Sequence, residues 1–202
     1  MKLITATHKE KKYSTKYFHY AKRMPVNTTG YSVMNDKNEW CGCILYGSGA
    51  NQNIGKEFGL EQSQVYELVR VALNGKQEQT SKALAMSIKQ IKRDNPKLRM
   101  LVSYADSNQN HIGIIYQATN WYYIGECASE CGVMVNGKLT HRRSLFSKYG
   151  TSSIEWLKNN IDSDIVNTFG KPKHKYVYLF DKSIYRLIEE RIKSYPKKNK
   201  EN

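Results

Sequence analysis

The sequence predicts a mixed α+β domain with a central, mostly antiparallel sheet flanked by helices. Three observations predict it. An antiparallel hairpin pattern starts the chain, a strand–helix–strand–helix–strand order occupies the middle, and 40% of the 202 residues are hydrophobic, enough for a proper core. The reading is one domain over residues 1–196 with a basic flexible tail over 197–202.

The elements follow in order. Residues 13–26, YSTKYFHYAKRMPV, predict a helix or turn running into a proline-terminated loop that carries His19 and Tyr20. GYSVMN and EWCGCILYG flank the turn formers Asp36, Lys37 and Asn38, which predicts a β-hairpin over 30–47. YGSGANQNIGKEFGL holds Gly47, Gly49, Gly55 and Gly59 and reads as a loop; no Walker-type Lys-Ser/Thr follows, so it is a weak phosphate signal. Residues 66–73, YELVRVAL, predict a central strand interrupted by Arg70, and strict alternation puts Glu67 and Arg70 on opposite faces. A helix capped by Thr80 or Ser81 runs to about Asp94 on the stripe Leu84, Ile88 and Ile91, and Asn95-Pro96 ends it.

Residues 99–125 are the stretch around which the chemistry is organised. A strand through Leu101 and Val102 leads into the polar loop Asp106–Asn110, then a short helix with Ile112, Ile115 and Gln117-Ala118 near helical spacing, then a strand over Tyr122–Ile124. Asp106 therefore sits just past the end of a buried strand, where α/β folds place chemistry, with His111 and Tyr116 close behind. A turn-capping role for Asp106 is the competing reading, and His111 at the loop–helix junction reads as a cap or a solvent-facing residue. Farther on, Asn136-Gly137 predicts a hairpin, HRRSLFSKY a short basic helix and Ser152-x-x-Glu155 a capping box. YVYLF predicts a strand, and Asp181 or Ser183 caps a last helix through Ile184, Leu187, Ile188 and Ile192.

The net charge of +14 is unevenly placed: residues 1–23 carry +6, residues 171–202 carry +6, and the body between them only +2. Basic ends mixed with fifteen tyrosines suit a partner with a phosphate backbone. No apolar run approaches the roughly 20 residues that span a bilayer, and the first residues lack the apolar core of a signal peptide, so a cytoplasmic protein without membrane segments is expected. Of the four cysteines, Cys41 and Cys43 alternate within a strand and read as small apolar residues; neither they nor Cys127 and Cys131 have C-x2-C zinc spacing.

The element order resembles GNAT-type acyltransferases, and GIIYQATNWYYIG is similar to their late helix and following strand, where a tyrosine meets the donor's leaving group. Five blocks resemble more specifically the Mom family of phage DNA-modification proteins: FHYAKRMP, YGSGANQNIGK, ELVRVAL, VSYADSNQNHIGIIYQATNWYYIGE and the later HRRSL, SIEWL and PKHKYVY. The resemblance implies conversion of the exocyclic N6 of adenine to a carbamoylmethyl form in double-stranded DNA, inside the host cytoplasm, as a shield against restriction. It also implies iron, with His19, Tyr20 and Asp106 as the matching ligands. Tyr116 then acts as general acid, Arg70 orients an anionic group, and Ser103 and Glu67 are further catalytic candidates. Where GNAT enzymes carry a Gly-rich coenzyme A loop this chain reads LNGKQEQTSKAL, which leaves Gly75, Lys76 and Ser81 as the donor-binding candidates and makes a coenzyme A thioester a poor fit; an acyl or aminoacyl-type donor stays unidentified. Two other readings stay open: a GNAT-like N-acyltransferase acting on protein, tRNA or a small amine, and a non-catalytic basic nucleic-acid-binding protein. Oligomeric state is not legible, a homodimer being one option.

Overall fold

A computed structural model of the chain describes residues 1–48, 53–128 and 131–197. The polypeptide packs as two compact units. The first is built from Met1–Tyr104, Gly113–Gly125 and the chain from Lys175 onward, the second from Ala105–Ile112 and Glu126–His174. The expected mixed α+β class holds, with a mostly antiparallel sheet and flanking helices. The predicted tail over 197–202 lies outside the described residues beyond Lys197.

The first unit carries a seven-stranded sheet in the order β1-β2-β3-β4-β5-β10-β6. These are Lys2–Thr5, Thr28–Met34, Trp40–Gly47, Val65–Leu73, Met100–Ala105, His174–Leu179 and Tyr122–Glu126. β1 through β4 are antiparallel neighbours, and β2 and β3 form the predicted hairpin around the Asp36–Asn38 turn. β4 and β5 are parallel, as the intervening helix α2 (Thr80–Asp94) requires. Gly42 lets β3 press against β4: at φ +117° it sits so close that a Cβ would lie 2.1 Å from the Ala72 carbonyl oxygen.

Helix α1 (His8–Phe18) begins at a capping box in which Thr7 and Glu10 satisfy each other's backbone N–H groups. Its Ser14 hydrogen-bonds the Cys43 thiol, whereas Tyr46, on the opposite side of β3, meets Ser87 of α2 at 2.6 Å. α1 and α2 therefore cover opposite faces of the sheet. Cys41 and Cys43 are wholly buried, as small apolar residues would be, and burial pushes both thiols up. α2 begins one residue after Gln79, which makes no side-chain cap; neither Thr80 nor Ser81 is its cap, since Thr80 Oγ1 instead accepts from the Gln77 amide at 2.7 Å.

A second core forms where Ile54, Phe58 and Leu60 of the loop after β3 meet Val102, Val177 and Ile188. The predicted last helix is a pair of 3-10 turns, Lys182–Leu187 and Glu189–Arg191, with Asp181 capping the first through the Ser183 N–H at 2.8 Å.

The second unit has its own three-stranded antiparallel sheet, β8-β7-β9, from Lys138–His141, Cys131–Val135 and Val166–Phe169. Asn136 and Gly137 make the β7–β8 turn as predicted, both at positive φ. Helices α4 (Arg142–Tyr149) and α5 (Ile154–Asn160) bury Leu145 and Leu157 against Val133, Val135 and Ile165. The cap of α5 is Ser153, which accepts the Trp156 N–H, and not Ser152, whose carbonyl accepts from Arg142.

Candidate active site

The site in the first unit begins with an irregularity in β4. Leu45 of β3 pairs with Arg70 and Tyr46 with Leu68, so Val69 has no partner and bulges. Leu45 and Gly47 share a face of β3, and their partners are Arg70 and Glu67. Glu67 and Arg70 thus share a face too, which corrects the opposite-face expectation: strict alternation fails wherever a strand carries an extra residue. On the other side of β4, the parallel ladder with β5 covers only Val65–Glu67 against Met100–Val102, although both strands continue.

Ser103 and Tyr116 fill the space beyond that ladder. Ser103 Oγ lies 2.9 Å from the Leu68 carbonyl oxygen and 2.8 Å from Tyr116 Oη. A carbonyl can only accept, so with the single Ser103 hydrogen directed there, the Tyr116 phenol donates to Ser103 Oγ. Tyr116 projects from the short helix α3 (Ile114–Gln117) and is 8% exposed. Burial pushes its phenol above the usual range and the Glu67 charge adds to that, against the Ser103 hydrogen bond and Arg70. It is held as a neutral O–H donor. Trp121 and Tyr176 pack on its ring at centroid distances of 5.2 and 5.0 Å. Gly113, at φ +78°, leaves that box its room: a Cβ there would lie 2.4 Å from Tyr176 and 2.9 Å from Tyr116. The Trp121 indole N–H is buried without a partner.

Arg70 is the unsettled member. One guanidinium nitrogen donates to the Val69 carbonyl at 2.6 Å, while Nε is buried with no hydrogen-bond partner. Burial lowers its pKa, opposed by Tyr20, Glu67 and Tyr116. Those opposing charges place Tyr20 in the same electrostatic neighbourhood. Five of the predicted residues, Tyr20, Glu67, Arg70, Ser103 and Tyr116, therefore come together in one unit. Sequence reasoning missed Tyr176 as a wall around Tyr116, although its aromatic-rich segment was the available signal.

The remaining predicted residues have other contacts of their own. Asp106 belongs to the second unit, where its Oδ1 accepts the Asn108 N–H and side-chain amide at 3.0 and 3.1 Å and caps a 3-10 turn. His19 caps the end of α1, its Nδ1 accepting the Ala21 N–H at 3.1 Å while its ring stacks on Tyr20 at 4.4 Å. His19 and Tyr20 stand side by side while Asp106 belongs to the second unit, and among the described residues no three His, Cys, Asp or Glu side chains gather as a ligand set. Gly75 faces open space at φ +86°, the Lys76 N–H is taken up by Asn74 Oδ1 and its carbonyl by the Asn35 amide, and Ser81 lies in the first turn of α2. The loop is organised to hold the β2–β3 turn.

Comparison with known proteins fixes the family. The Mom protein family model matches residues 2–197. The chain belongs to the Mom protein family. Among curated proteins it is similar to the methylcarbamoylase mom of Escherichia phage Mu, 24% identical over 187 residues that cover 89% of this chain and 76% of the relative. Two crystal structures of TofI, one apo and one in a ternary complex with an inhibitor and MTA, are distant structural matches. Their TM-scores are 0.43 and 0.40 at 13% and 11% identity, over 94% of this chain and 97% of each of theirs. The Mom family and the phage Mu relative support phage DNA modification as the work of this chain. No helix among the described residues is long and apolar enough to cross a membrane.

Proposed function

We propose that this Mom-family chain attaches a carbamoylmethyl group to the N6 of adenine in double-stranded DNA, at the cluster around Tyr116. The observation that carries the reading is the buried Tyr116–Ser103 hydroxyl pair beside Arg70, whose Nε–H has no protein partner. A charged donor left unsatisfied in a buried position is costly, and a carbonyl or anionic group of a bound substrate would satisfy it.

The product requires a new bond from N6 to a CH2 carbon. Adenine N6 is a weak nucleophile, and it must lose a proton as the bond forms, while the donor's leaving group must gain one. Tyr116, held neutral, gives that proton by turning its hydroxyl from Ser103 Oγ to the leaving group; Glu67, on the Arg70 face, takes the N6 proton, and proton exchange with water after product release restores both. Arg70 orients the donor. Plain acyl transfer would leave an amide, so the donor reacts at its methylene and not at its carbonyl. The modification is proposed to need the Asp106 carboxylate of the second unit as well, and a GNAT relation of the fold belongs to this proposal. The base leaves the duplex stack at a cost of roughly a few kcal/mol.

The test is mass spectrometry of nucleosides from DNA of cells making the protein. A deoxyadenosine heavier by one carbamoylmethyl group is expected; an unchanged nucleoside profile with folded protein present would overturn the assignment.

A further inference from the structure

The second unit carries a pocket that the chemistry above does not use. It has a volume of about 520 Å³ and lies between the β7–β8 hairpin and α4, with Lys138, Thr140, His141, Ser144 and Lys148 on its walls. Strand and helix periodicity explain the convergence: Lys138 and Thr140 share a face of β8, and Ser144 and Lys148 are one turn apart on α4. His141 is fixed at the start of α4, where its Nδ1 accepts the Arg143 N–H at 3.0 Å.

Charge is segregated around this pocket. Residues 136–153 hold four cations, Lys138, Arg142, Arg143 and Lys148, and no Asp or Glu. Arg142 is tied inward to the Ser152 carbonyl and Asn167, whereas Lys138, Arg143 and Lys148 are exposed. Asp162, at the Asn136 end of the pocket, has its oxygens occupied by the backbone N–H groups of Asn136 and Asp164.

We propose that this face of the second unit is a binding surface for the backbone of duplex DNA. Lys138 and Lys148 meet phosphates, and Thr140 and Ser144 add hydroxyl donors. Cations without intervening acids, interleaved with hydroxyls, are the mixture that recognition of phosphates requires. The inference rests on the DNA-modifying reading and says where on this chain the substrate is held.

The experiment is fluorescence anisotropy of a labelled duplex titrated with the full chain at several salt concentrations. Lys138→Ala/Lys148→Ala is expected to weaken binding about tenfold and to lower the slope of log K against log salt by about 0.9 for each phosphate that is no longer neutralised. Lys12→Ala/Lys16→Ala on exposed α1 is the control and should cost less. Parent-like binding by the pocket double variant, or equal losses in both double variants, would overturn the proposal while leaving the catalytic reading intact. Absence of any salt-sensitive binding by the parent chain would overturn both. Loss of nucleoside modification in Tyr116→Phe with parent-like DNA binding keeps the two roles separate.

Discussion

Glu67 and Arg70 stand on one face of β4 because Val69, between them, has no partner on β3. The bulge turns an ordinary strand into one that presents a carboxylate and a guanidinium together. It does so beside the point where the ladder between β4 and β5 ends and where Ser103 and Tyr116 meet. Bulges recur next to active sites because they re-aim side chains in this way.

Arg70 should trade stability for activity. Its buried Nε–H has no partner, so replacing it by an apolar side chain of similar length removes a penalty of about 1–3 kcal/mol. Arg70→Met is expected to raise Tm by roughly 2–10 °C and to abolish the modified nucleoside. Arg70→Lys keeps the charge but not the fork of donors, and should also be impaired. Calorimetry and nucleoside analysis of the same preparations check both.

Asp106 has a structural task that asparagine can perform. Its side-chain oxygen caps the turn through Asn108, and an amide oxygen accepts the same bonds. Asp106→Asn should keep the parent Tm and lose DNA modification, whereas Asp106→Ala should lose modification and about 1 kcal/mol of stability. Full activity in Asp106→Asn would reduce this residue to a cap.

Asp181 gives a pH signature. Hydrogen bonds from the Ser183 side chain and backbone, with Arg99 next, hold its carboxyl down to about 2. A depressed folded-state pKa favours the folded chain above the unfolded value, near 4, and the advantage fades as pH falls toward the folded value. Urea midpoints of the parent and Asp181→Asn should differ at neutral pH and converge in acid.

Two glycines with positive φ should respond differently to alanine. At Gly42 the added methyl meets the Ala72 carbonyl oxygen at 2.1 Å, so Gly42→Ala should cost about 3 kcal/mol or more. Around Gly75 nothing lies within 4 Å, and Gly75→Ala should cost only the backbone preference, about 1 kcal/mol. Denaturant melts of the two variants give the comparison.

Strong local signals were legible in the sequence: the Asp36–Asn38 and Asn136-Gly137 turns, the α2 stripe, and the strand–loop–helix run from Met100 to Tyr116 all appear where their residues point. β1 and β9 were missed because they are four-residue strands that are largely exposed, so burial imposes little alternation on them. The start of α1 is written in the Thr7–Glu10 capping box, which the surrounding lysines obscure. The last helix was misjudged in type because Ile184 and Ile188 suit an α-helix or 3-10 turns equally. The Val69 bulge was not legible at all: no glycine or proline marks it, and it exists only through pairing with β3. The same is true of the division into two units, which long-range packing decides.

The most direct test of the account is the deoxyadenosine profile of DNA from cells making the parent chain or Tyr116→Phe. That change removes one hydroxyl and leaves the ring packed between Trp121 and Tyr176. Folded Tyr116→Phe protein with the carbamoylmethyl nucleoside reduced roughly 100-fold or more is the predicted result. Parent levels of that nucleoside in Tyr116→Phe would contradict the reaction centre described above.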